Sequence, residues 1–115
     1  MPVRDRFTRE ELRSLWVNRA VAAHLARDPE RILRRARKNL DRFSRIHAGG
    51  SAKPWLERWR TVLDQGPEAV MQVLTSTAPE ATELRQNSPF PGVLPEKERR
   101  DVLESFATYW RRTAA

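Results

Sequence analysis

Apolar residues recur at spacings of three and four along most of this chain, and no window alternates with period two for long enough to suggest a strand. The first such stripe follows a capping box, with Thr8 as N-cap and Glu11 three residues on. It runs through Leu12, Leu15, Trp16, Ala20 and Ala23, with Val17, Val21 and Leu25 on the adjoining side. Ala20, Ala22 and Ala23 leave room for a second helix to approach closely. Asp28-Pro29-Glu30 then ends this helix and starts the next, because proline fits the first helical position, where its missing N–H costs nothing.

The second helix carries the cleanest pattern. At 100° per residue Leu33, Ala36, Leu40, Phe43 and His47 share one face. The first four are expected to be buried against Leu12, Trp16 and Val62 or their neighbours. Gly49-Gly50 is the stop signal. Trp55, Leu56, Trp59, Val62 and Leu63 form a third stripe, and Gly66-Pro67 separates it from a fourth around Val70, Val73 and Leu74. Thr77-Ala78-Pro79-Glu80 starts a fifth helix through Ala81 and Leu84. Asn87 to Pro95, with three prolines and one glycine, reads as a loop. Pro95 opens the last helix, where Val102, Leu103, Phe106 and Trp110 repeat. The prediction is an all-α, compact bundle of five or six helices, at about 9–26, 29–47, 54–64, 67–75, 79–87 and 95–112. A length of 115 residues fits a single domain, 1–115, made of a basic N-terminal helical hairpin (8–47) and C-terminal helices (54–112).

Charge sharpens this picture. Residues 1–48 hold 13 Arg or Lys against 6 Asp or Glu, a net +7, whereas residues 49–115 hold 9 of each. Arginine outnumbers lysine 19 to 3, and guanidinium forks suit carboxylates and phosphates. A GC-rich genome accounts for such a ratio but not for the asymmetry. Much of the excess falls on the second helix. There Arg31, Arg35, Lys38, Arg42 and Arg45, with Arg34 beside them, lie nearly opposite the apolar face. Like charges along four turns repel, with Asp41 alone to offset them. The stripe is either a solvated face or a binding surface for nucleic acid or an acidic protein.

Two further segments are candidate sites. From Gly66 to Leu94 the rhythm is that of a helix-turn-helix, whose second helix would offer Glu80, Thr82, Glu83, Arg85 and Gln86 outward. Arg85 and Gln86 are the candidate base-reading residues. Against this, two glutamates crowd that helix, and two helices joined by a turn occur in any bundle. In the proline-bounded loop, Phe90 and Val93 either plug the core or anchor a partner protein. The four tryptophans recur among aliphatics, as core or helix-interface residues do.

Nothing in the chain points to catalysis, a cofactor or a metal. There is no cysteine, His24 and His47 stand alone, and no Gly-rich phosphate loop or Gly-x-Ser-x-Gly is present. Glu10, Glu11, Glu96 and Glu98 are helix-start acids that complement the helix dipole. No apolar run reaches the ~20 residues of a membrane span, and Met1–Arg6 lacks the apolar core of a secretory signal. A cytoplasmic location with no membrane partner is the expectation.

Two stretches give the chain a resemblance. One is LWVNRAVAAHL over Leu15–Leu25, followed by Asp28-Pro29 and by ARKNL over Ala36–Leu40; the other is LRQNSPFPGVLP over Leu84–Pro95. With the Trp55–Leu63 helix between them, they resemble small bacterial antitoxin-like helical proteins encoded beside toxin genes, from about Leu12 onward. The resemblance implies neutralisation of a cognate toxin by direct contact, with DNA binding for autoregulation as an added expectation. A helix-turn-helix transcriptional regulator is the alternative. Homo-oligomerisation is compatible with either.

Overall fold

A computed structural model describes residues 6–46 and 53–114. Six helices follow one another: α1 (Arg9–Arg27), α2 (Pro29–Ile46), α3 (Lys53–Gln65), α4 (Pro67–Thr75), α5 (Pro79–Arg85) and α6 (Glu96–Arg112). No strand occurs among the described residues, which form an all-α bundle built on these six helices. None of these helices is long and apolar enough to cross a membrane.

The helix ends have local causes. The Thr8 hydroxyl accepts from the Glu11 N–H at 3.1 Å, and the Glu11 carboxylate accepts from the Thr8 N–H at 2.8 Å, which completes the capping box. Asp28 closes α1 through its N–H to the His24 carbonyl, and its carboxylate takes the Arg31 N–H and Nε at the start of α2. Gly66, at φ +102°, makes the turn between α3 and α4 in a conformation that side chains resist. Two ends differ from expectation. α5 stops at Arg85, and Gln86 and Asn87 form a turn; Pro95 is the N-cap of α6 and not its first residue. His47, Gly49-Gly50 and Ser51-Ala52 lie outside the described residues.

α1 is the hub. It packs against α2, α4, α5 and α6, while α3 packs against α2, α4 and α5. The main core joins Val21 and Leu25 of α1, Ile32, Ala36 and Leu40 of α2, Leu56, Trp59 and Leu63 of α3, and Val70 and Leu74 of α4. A second core lies where α6 runs antiparallel along α1. Leu12, Leu15 and Phe106 are buried there under Phe7, Trp16, Tyr109 and Trp110. His24, at the far end of that pair, holds Glu98 at 2.8 Å.

The apolar face of α2 is rotated from the expected one. Ile32 and Asn39 are buried with Ala36 and Leu40, whereas Leu33 and Phe43 are half-buried. Leu12 and Trp16 belong to the second core and do not form the expected cover of α2; Val62 does pack at the edge of the main core. The reason is Asn39, whose side chain must reach the 86–94 loop and so turns α2 toward it. Leu40 is fully buried, and Leu40→Ala is expected to cost about 2–5 kcal/mol in denaturant unfolding if the site cannot collapse.

Candidate binding surface

Every member of the predicted basic stripe is exposed: Arg31, Arg34, Arg35, Lys38, Arg42 and Arg45. Arg31 pairs with Asp28 at 3.3 Å, one turn back. Among the described residues the other five form no ion pair. Asp41, the acid nearest to them in sequence, is held by Arg60 of α3 at 3.1 Å and does not offset the stripe. Arg37, on the flank, is used by the fold: it bonds Asp64 at 2.9 Å and the Leu63 carbonyl at 3.2 Å. α2 thus spends one arginine on its neighbour helix and leaves a row of five cations facing solvent. Arg42 lies over the Phe43 ring at 5.8 Å, and the Arg35 guanidinium lies against Gly92. Gly92 has φ +82°, and a Cβ there would come within 2.5 Å of Arg35 Nη2. The loop can carry only glycine at that point without displacing Arg35.

The helix-turn-helix region is built for packing. Ala81, Thr82, Leu84 and Arg85 of α5 are buried, which leaves Glu80 and Glu83 as its exposed charges. Arg85 and Thr82 therefore do not face outward as expected. The Arg85 guanidinium donates through Nη1 to the Val73 and Ser76 carbonyls at 2.8 and 2.6 Å, and through Nη2 to the Thr82 hydroxyl at 3.2 Å. Burial, and secondarily Arg19, hold it below its ordinary guanidinium range. Its place is explained by α4, whose last carbonyls form the negative end of a helix dipole and lack intrahelical donors. Gln86 does remain exposed, in the turn that follows α5.

The proline-bounded loop folds inward. Phe90, Val93 and Leu94 are buried in the main core, so Phe90 and Val93 are core plugs and not exposed partner anchors. Phe90 meets Trp59 edge-on, with ring centroids 5.6 Å apart, and the Trp59 indole N–H donates to the Leu84 carbonyl at 3.0 Å. Two buried asparagines, absent from the predicted site, hold the loop. Asn39 donates to the Pro89 and Pro91 carbonyls at 2.9 and 3.0 Å. Asn18 donates to the Ser14 carbonyl at 2.8 Å and accepts from Ser88 at 3.4 Å. Ser14 in turn donates to the Arg85 carbonyl at 3.1 Å. An asparagine within an apolar helical stripe is the one sequence signal that would have marked them, since a buried amide must find partners.

No group of three or more potential metal ligands comes together among the described residues. What the surface can do chemically is present guanidinium and ammonium groups in a row. No family model matches the chain, and neither any curated protein nor any solved structure does.

Proposed function

We propose that this chain is an antitoxin-like, non-catalytic binding protein that neutralises a cognate toxin by direct protein–protein contact through the exposed basic face of α2. The observation that carries this reading is the row Arg34, Arg35, Lys38, Arg42 and Arg45. It lacks any ion pair among the described residues, on a helix whose other two arginines are both engaged, Arg31 with Asp28 and Arg37 with Asp64 of α3. Mutual repulsion along such a row is unfavourable unless an acidic surface offsets it. The resemblance over Leu15–Leu25 and Leu84–Pro95 narrows the acidic partner to a toxin. DNA held on the same stripe would serve autoregulation. Base reading by α5 is disfavoured, because that helix exposes Glu80 and Glu83 and buries Arg85.

The test is co-expression with the product of the adjacent gene. That product is expected to arrest growth alone, to be neutralised by the wild-type chain and to co-purify with it. Arg35→Glu/Lys38→Glu/Arg42→Glu, whose positions are all exposed, is expected to keep its helical circular dichroism yet fail to rescue. Residual binding of the wild type should weaken steeply between low salt and ~0.5 M salt. Full rescue by the folded triple variant would overturn the assignment of the contact to α2. Retention of a DNA duplex in place of any protein would favour the regulator.

A further inference from the structure

A groove of about 460 Å³ runs between α1, the start of α6 and the 86–94 loop, apart from the cations that face solvent on α2. This volume falls within the range of ~300–1,000 Å³ typical of ligand clefts. Its apolar lining includes Val17, Val21 and Leu103. Arg13 and Arg99 also line it, both exposed and both without an ion pair among the described residues. Glu10 is the one carboxylate in the lining, and it is engaged with Arg9 at 3.9 Å. The loop wall is fixed before anything binds. Asn39 holds its two proline carbonyls, and Ser14 and Asn18 hold its base. A wall set in advance loses little entropy on docking.

We propose that this groove is a second docking site, and that its occupant is an acidic segment of the partner protein carrying aliphatic side chains. The proposal rests on the reading of the chain as a protein-binding protein, but not on the α2 contact. Aliphatic lining asks for leucine-like or valine-like anchors, and the flanking arginines ask for carboxylates beside those anchors. A phosphate backbone would use the arginines and leave the apolar lining uncovered. A second copy of this chain is a poor occupant. Its one exposed large hydrophobic among the described residues, Ile46, follows Arg45 on the basic helix.

The probe is a fluorescein-labelled peptide of glutamates with leucine at every third or fourth position. A peptide with lysine replacing each glutamate and a short DNA duplex are the controls. Fluorescence anisotropy is expected to show binding of the acidic peptide alone at the groove. Arg13→Glu/Arg99→Glu and, separately, Leu103→Asp should each weaken it by about tenfold or more, whereas Lys38→Glu/Arg42→Glu should change it by less than about threefold. Circular dichroism confirms that each variant is folded. No binding of the acidic peptide, equal binding of the lysine peptide, or unchanged affinity in both groove variants would overturn the proposal. So would a sedimentation result in which the groove variants dissolve a homodimer, or competition by the duplex lost in those variants. Failure of the α2 variant to neutralise the toxin leaves these outcomes untouched, so the two readings fail separately.

Discussion

Phe90→Ala is expected to lower stability by about 3–5 kcal/mol, the range for removing a large buried aromatic side chain. Phe90 is 4% exposed and shares the main core with Trp59, which is fully buried. The truncation opens space beside the indole and removes an edge-to-face contact at 5.6 Å, a contact worth about 0.5–1.5 kcal/mol beyond area. The hole cannot close easily. The loop around Phe90 is pinned by Asn39 on one side and by the Ser88–Asn18 bond on the other. Denaturant unfolding followed by tryptophan fluorescence gives the loss, and a double-mutant cycle with Trp59→Phe isolates the ring–ring share. A cost below ~0.5 kcal/mol would mean that Phe90 is not a core residue and that the loop is free to serve as an external anchor.

Much of the fold was legible because its signals are local. Thr8/Glu11, Asp28-Pro29 and Gly66-Pro67 fix helix ends through neighbouring backbone groups, and the helices begin and end within a residue or two of them. The basic stripe was legible for the same reason: six residues on one helix face need no knowledge of the rest of the chain. What could not be read is what depends on distant carbonyls. Asn39 reaches Pro89 and Pro91, 50 and 52 residues away, and Trp59 reaches Leu84, 25 away. Hydropathy scores an asparagine as surface, so the true buried face of α2, with Ile32 and Asn39 in it, was displaced by one row toward Leu33. The groove was invisible as well, because Arg13, Leu103 and Gly92 meet only once α1, α6 and the loop are assembled. A charge pattern on one helix survives folding. A site shared by three segments does not exist before it.

Arg85 is the position where the plain reading of the sequence was most misleading, and it carries the second large effect. An arginine near the end of a short helix in a helix-turn-helix rhythm suggests base reading. Here it is 2% exposed and clamps the last turn of α4 through the Val73 and Ser76 carbonyls, with Thr82 as third acceptor. No carboxylate pairs with it among the described residues, so the carbonyl dipoles alone compensate the buried charge. Its Nε has no partner, which adds to the strain of keeping the cation inside. Arg85→Met keeps most of the volume but strands the Val73 and Ser76 carbonyls, while the Thr82 hydroxyl keeps its bond to the Ala78 carbonyl at 3.0 Å. Each acceptor left unpaired costs about 1–3 kcal/mol, and the net is tempered because the burial penalty of the guanidinium also disappears. The expected loss is about 2–4 kcal/mol, with hydrogen exchange accelerating first in α4 and α5. Arg85→Lys should recover only part of it, because one ammonium cannot span the three acceptors with the planar fork that guanidinium provides. Both variants should leave the exposed α2 stripe unchanged, and therefore bind an acidic partner normally at temperatures where they remain folded. A variant that unfolds no more readily than wild type but loses DNA binding would reverse the assignment and return Arg85 to the surface as a reading residue.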